Sequence, residues 1–222
     1  MKKLIAMGLT VIMTAVAVCG CGSSDSGNDA KKSDSQTKQQ AVKVIDVDLT
    51  SEEYAFGVDK NKPELLTQVN DFIKEIKDNG TFDEICNKYF GGGNPTPVKS
   101  EKLDTSKDQL LVATNASFEP FEYMKGDSYY GIDMEIAAAL AKKLNKELVI
   151  QNMEFDSVCL SVGQHKSDVA MAGLTVKEDR KKYVNFSDTY YNAAQRLIVK
   201  GDSTEFDSCK DKAAIEKILK TK

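Results

Sequence analysis

LLVATNASFEPFEYMKGDSYYGIDMEIAAALAKKLNKELVI, residues 110–150, reads as a strand, a polar loop, a helix and a second strand. Leu110 to Thr114 is a short apolar run closed by a polar loop. Ile132, Ile136, Leu140 and Leu144 recur every four residues and share one helix face. Ala137, Ala138 and Ala141 beside that face allow close packing. Glu147 to Gln151 is the next strand. The alternation continues with a short helix capped by Asp156 and running to Gly163, and a strand from Val169 to Ala172. A helical turn or two from Glu178 to Tyr183 and a strand from Gln195 to Val199 complete it. This order over residues 107–200 predicts an α/β fold with a mostly parallel sheet covered on both faces. Such sheets bind ligands at the carboxyl ends of their strands. Here those ends carry Thr114 to Phe118, Asn152 to Asp156 and Gly173 to Thr175. No dinucleotide fingerprint, phosphate-binding P-loop or nucleophile elbow is present.

Upstream, residues 42–91 form another folded segment. Val42 to Asp48 and Tyr54 to Val58 read as strands. Pro63 suits the first position of a helix. Leu66, Val69, Ile73 and Ile76 give that helix an apolar face, and Asn79-Gly80 ends it. Thr81 to Glu84 has the spacing of a capping box for a second helix through Tyr89. Gly91 to Ser106 is a linker of sixteen residues, able to cover about 50 Å when extended. Beyond Lys200, a short helix is expected from Phe206 to Lys220.

The N-terminus reads as an address. Lys2 and Lys3 precede an apolar run from Leu4 to Val18, short of the roughly 20 residues of a spanning helix and suited to a secretion signal over residues 1–20. Val18-Cys-Gly-Cys-Gly22 resembles a bacterial lipobox, with Cys21 the better lipidation site because Gly20 precedes it; an ordinary secretion signal is the alternative. A two-chain lipid anchor on Cys21 would hold the chain to the membrane at an extracytoplasmic face. Residues 21–41 are Ser-, Asp-, Lys- and Gln-rich, a flexible tether reaching roughly 25 Å.

Composition closes other routes. The 222 residues carry a net charge of −4, and −6 once Lys2 and Lys3 are removed. That argues against nucleic acid as a partner. A single histidine, His165, excludes a multi-histidine metal site, and no Cys-x-x-Cys pair occurs. No metal, cofactor or catalytic residue is expected. His165 reads as a solvated turn residue. Cys86, Cys159 and Cys209 read as buried thiols, with room for at most one disulfide among them.

Leu111 to Tyr123 resembles the opening strand and loop of the polar-amino-acid-binding proteins of ABC importers, solute-binding family 3. Gly131-Ile-Asp-Met-Glu-Ile-Ala137 with Leu140 and Ala141 matches the signature of that family. Met153 to Asp156, Asp168 to Arg180 and Val184 to Tyr191 follow in its order and spacing. The resemblance implies a type II periplasmic-binding-protein fold: two α/β lobes that close on a ligand. Residues 51–91 look like the C-terminal part of a family member placed before the N-terminal part, as in a circular permutant. The long linker makes such an arrangement easy, because closure entropy grows slowly with length. The resemblance spans residues 42–91 and 107–200, about one lobe with a five-stranded sheet and helices on both faces. Residues 201–222 lead toward a second lobe that is not represented.

The resemblance also implies the site. Arg180 matches the arginine that grips the ligand's α-carboxylate, a role suited to a planar charged fork. Thr175 and the Gly173 backbone are its companions. Thr175 to Glu178 is also spaced as a capping box, which would present free N–H groups to an anion. Phe118 and Phe155 match the aromatic walls around the ligand side chain. Asn115 sits where the ligand's polar end is read, and its neutral amide favours a ligand such as glutamine. No residue matches the family's ammonium-binding acid, which belongs to the second lobe. One wall alone would bind weakly, around millimolar, since each lost charged hydrogen bond costs about 1.5–3 kcal/mol. The expected partners are an amino acid, an ABC permease and, through the anchor, the membrane. A sensory or interaction lobe is the competing reading. A dehydratase on the same fold is less favoured, because no acid–base pair appears in the pocket loops.

Overall fold

The computed structural model describes residues 41–221. In chain order the elements are β1 (Val42–Val44), β2 (Glu52–Tyr54), β3 (Gly57–Asp59), α1 (Pro63–Asp78) and α2 (Thr81–Phe90). They continue with β4 (Gln109–Thr114), β5 (Ser117–Phe118), β6 (Glu122–Lys125), β7 (Ser128–Tyr130), α3 (Ile132–Lys143) and β8 (Glu147–Asn152). Then come α4 (Phe155–Gly163), β9 (Val169–Ala170), a 3-10 turn (Arg180–Lys182), β10 (Val184–Phe186), β11 (Tyr191–Ala193), β12 (Ile198–Lys200) and α5 (Lys212–Leu219).

The central sheet has five strands in the order β10-β3-β9-β4-β8. β4 pairs parallel with both β8 and β9. β3 is antiparallel to both its neighbours, β9 and β10. Four of the five strands therefore run the same way, which is the mostly parallel α/β sheet expected. β3 comes from the upstream segment, so residues 42–91 and 107–200 share one sheet.

Alternation along β4 sorts its side chains between two layers. Leu110 and Val112 enter the main core with Val69, Ile73 and Ile76 of α1, Ile85 of α2, and Ile136 and Leu140 of α3. Ala113 faces the other way, against Val158 and Val162 of α4. Small residues on that side, Ala113, Ala170 and Ala172, let α4 approach closely. A third, smaller cluster joins Ile45 and Val47 to Phe206 and to Ile215 of α5.

Several local expectations are corrected. The run Tyr54–Val58 is two strands, not one. β2 pairs with β11, and the chain then crosses at Ala55-Phe56 into the central sheet as β3. The regular strand from Val42 ends at Val44, opposite β12, and beyond it only single backbone bonds continue, Ile45 N–H to the Leu197 carbonyl and Leu49 N–H to the Gln195 carbonyl. Gln195 to Val199 gives way to β12 over Ile198–Lys200. Thr81 does not cap α2: Gly80, at φ 84°, holds that position, and Asn79 Oδ1 accepts from the Thr81 N–H. The turn after α1 is so tight that Thr81 is already helical. Asp156 lies in the first turn of α4, whose N-cap residue is Glu154. Thr175 opens no helix, because it bridges to Tyr54 as extended chain; the turn expected over Glu178 to Tyr183 is present, with Arg180–Lys182 as its 3-10 core capped by Asp179. The C-terminal helix is shorter than expected and starts after Asp211, whose side chain accepts from Ala214 N–H.

The linker is a fixed strap. Val98 exchanges both backbone bonds with Tyr129, and Glu101 N–H donates to the Leu148 carbonyl. Thr96 N–H donates to Glu135 and Ile150 N–H to Ser100 Oγ. Cys86, Cys159 and Cys209 are free thiols. Cys21, the signal segment and most of the tether lie outside the described residues. Among the described residues no helix is long and apolar enough to cross a membrane, and no cluster of side chains could hold a metal ion.

Candidate functional site

The loops leaving β4, β8 and β9 meet at one end of the sheet. Between them lies an open cavity of about 380 Å³. Asn115, Phe118, Phe155, Gly173, Thr175 and Arg180 all line it, so the structure brings the six sequence-predicted residues to one place. Two larger grooves, of about 770 and 790 Å³, flank the strap. Three of their lysines are already matched, Lys62 with Asp168, Lys107 with Glu147 and Lys146 with Asp108. Neither groove has an aromatic wall.

Arg180 is held but not neutralised. Its guanidinium lies over the Phe155 ring, 5.0 Å from the centroid, and Nη1 donates to the Thr175 carbonyl at 2.8 Å. No ion pair of Arg180 with a carboxylate is present among the described residues. Its remaining N–H groups therefore form a donor fork on a half-buried cation, the arrangement that suits a carboxylate. Phe118 and Phe155 are 44% and 38% exposed, high for phenylalanine, and both border the cavity. Phe118 stacks on Phe121 at 5.6 Å.

Gly173 has φ +52°, and a Cβ there would come within 3.0 Å of the Phe118 ring. Glycine thus satisfies both the left-handed backbone and the close aromatic contact. Its N–H donates to Asp133 Oδ2 at 2.9 Å, while Asp133 Oδ1 accepts from Tyr190 Oη at 2.6 Å. Asn115 is tied into its own loop: Nδ2 donates to the Met153 carbonyl at 2.8 Å, and Oδ1 accepts from Ser117 Oγ.

Residues not singled out from the sequence complete the lining. Glu52 and Tyr54 come from β2, Glu122 from β6, and Lys177 and Gln195 from loops. Glu52 accepts from Thr175 Oγ1 at 3.3 Å and from Gln195 Nε2 at 2.8 Å. Burial, aided by the Glu52, Glu122 and Asp133 charges, pushes the Tyr54 hydroxyl up to about 12. Glu122 is 1% exposed, and neither carboxyl oxygen has a hydrogen-bond partner among the described residues. Burial, then the Asp133 charge, raises its pKa far above the carboxylate range. His165 does not line the cavity. It takes a positive φ of 61° and packs its ring against buried Asp59, with Nδ1 at 2.9 Å from the carboxylate.

The profile of the bacterial extracellular solute-binding proteins, family 3, matches residues 10–92 and 110–221. The arginine-binding extracellular protein ArtP of Bacillus subtilis is 40% identical over 100 residues, covering 45% of this chain and 39% of ArtP. An arginine-binding periplasmic protein of Mannheimia haemolytica is 34% identical over 108 residues, covering 48% and 45%. The chain thus spans less than half the length of these relatives. The arginine-bound domain 1 of TmArgBP is 31% identical, with a TM-score of 0.38, covering 55% of this chain and all of that domain. With its profile matched over most of its length, this chain belongs to the bacterial extracellular solute-binding proteins, family 3.

Proposed function

We propose that the chain supplies one wall of an extracytoplasmic receptor that captures a polar amino acid for an ABC importer. One observation carries this reading. Arg180 is clamped between the Thr175 carbonyl and the Phe155 ring, has no acidic partner among the described residues, and opens onto a cavity bordered by Phe118. In that reading the ligand's α-carboxylate sits on the Arg180 fork and the Thr175–Gly173 backbone, and its side chain lies between the two phenyl rings. Asn115 shapes the loop at the ligand's far end.

The acidic lining favours a cationic ligand. Asn115, the basis for expecting a neutral one, has its amide engaged by its own loop. Glu52 borders the same cavity, and the relatives named above are called arginine-binding. L-Arginine is therefore the ligand we propose first. The opposite wall, with an acid for the ligand's ammonium, belongs to a second lobe, and this lobe alone binds at about millimolar strength. Lipidation at Cys21 would keep the receptor beside its permease.

The test is titration of L-arginine by calorimetry into the chain and its R180A variant. Arg180→Ala should weaken binding by tenfold or more, the loss of a charged hydrogen-bond pair of about 1.5–3 kcal/mol. Equal affinity in the two proteins would remove Arg180 from the site.

A further inference from the structure

Glu122 and Asp133 are two buried acids that the amino-acid reading leaves unused. Asp133, at the start of α3, is fully buried and receives two donors, the Gly173 N–H and the Tyr190 hydroxyl. Glu122, on β6, receives none. The two elements are in direct register, because Asp133 N–H donates to the carbonyl of Phe121, the residue before Glu122. Glu122 also lines the cavity, and Gly173, which Asp133 holds, lines it too. An ionised carboxylate without a single donor is strongly disfavoured in a site closed to solvent. Two neighbouring buried acids of which one is fully solvated by protein donors therefore have an obvious place for a proton, on the other.

We propose that Glu122 and Asp133 hold one proton between them, resident on Glu122, and that a cationic ligand group entering the cavity displaces it to solvent. The proposal rests on the amino-acid-binding reading for its ligand, but the proton is a property of the free protein. With the cavity empty, Glu122 is a neutral acid. When a guanidinium arrives, the Glu122 O–H bond breaks, the proton leaves to bulk water, and the new carboxylate, buried beneath the cavity wall, balances the charge of the cation. Net charge in the pocket then changes little. A neutral ligand such as glutamine gives no reason to expel the proton. The same cavity would thus bind arginine with a pH dependence that glutamine lacks.

The tyrosines and the thiol facing the pair titrate above this window, and the E122Q comparison separates Glu122 from Asp133. Tyr54 from β2 and Cys86 from α2 are each pushed up to about 12, and Tyr190 is raised well above its ordinary value, all chiefly by burial. Burial raises Asp133 as well, to about 7, where its two donors hold it below Glu122, so Glu122 keeps the shared proton and Asp133 is the one other group that titrates in this range. Glu52, Lys177 and Arg180 are the other charged groups that border the cavity.

The experiment uses the full chain and two readouts. The first is carboxyl carbon-13 NMR of the free protein from pH 5 to 9. A protonated Glu122 resonance persisting at pH 7 is expected, and an ionised one at pH 7 overturns the proposal whatever the ligand does. The second is the affinity for L-arginine and for L-glutamine at pH 6, 7 and 8. Release of one proton makes arginine affinity rise several-fold per pH unit, at most about tenfold, while glutamine affinity stays flat. In the E122Q variant the arginine slope should vanish. Arginine binding with no pH slope, or a slope that survives in E122Q, overturns the displacement. If neither amino acid binds, the receptor reading fails and displacement fails with it, while the carboxyl resonances still decide the shared proton on their own.

Discussion

Glu122 affects stability as well as the site. Its carboxyl keeps a proton in the folded chain to a higher pH than in the unfolded chain, because burial opposes its charge. Above the ordinary carboxylate range, near pH 4.5, the folded state holds that extra proton, so stability declines as pH rises. One proton corresponds to about 1.4 kcal/mol per pH unit. Glu122→Gln cannot ionise, so its stability should fall less steeply between pH 6 and 9 than that of the parent chain. Urea denaturation across that range measures the difference, and parallel slopes would show that Glu122 does not carry the proton. Nothing in the sequence distinguishes Glu122 from the acids around it. Its burial depends on β6 and β7 folding over the end of the sheet, in a stretch that reads as a polar loop. Arg180, Phe118 and Phe155 were legible because they sit in a motif with fixed spacing. Glu52 and Gln195 were not, since they reach the site through pairing between strands more than 130 residues apart.

Among the elements, the junction of β7 and α3 is the tightest. Gly131 takes φ +125°, and an added Cβ would lie 2.0 Å from the Phe121 carbonyl oxygen. That approach lets Ile132 and Asp133 N–H reach the carbonyls of Pro120 and Phe121, while Tyr89 Oη accepts from Gly131 N–H. Gly131→Ala should cost about 3 kcal/mol or more, since both backbone strain and a hard contact oppose it. Gly126→Ala is the control: φ is +59° there with nothing within 4 Å of the added carbon, so about 1 kcal/mol is expected. Urea midpoints compare them, and similar losses would contradict the contact argument. Element type was most legible where periodicity is long. The apolar steps of α1 place Val69, Ile73 and Ile76 in the core as read. The split of β2 from β3 had no such signal, because Tyr54 to Val58 is continuous in composition while its backbone changes sheets.

At the scale of the whole molecule, the cavity at the strand ends is lined by both the upstream segment, through Glu52 and Tyr54, and the downstream one, through Arg180 and Gln195. β3 is locked between β9 and β10, and β2 between the loop at Thr175 and β11. The strap from Thr96 to Glu101 runs beside α3 and β8, at the far side of the sheet from β10. The alternation of strands and helices made this α/β plan legible, whereas the antiparallel insertion of β3 depends on contacts between distant segments. The proposed function depends above all on Arg180 receiving an α-carboxylate in the cavity at the strand ends. The most direct measurement compares L-arginine with agmatine, the same molecule without its carboxylate, by backbone-amide NMR of the chain. Arginine is expected to shift the Gly173 and Thr175 amides and to saturate at about millimolar concentration, with agmatine at least tenfold weaker. Equal binding of the two, or arginine shifts confined to residues outside the cavity, would contradict it.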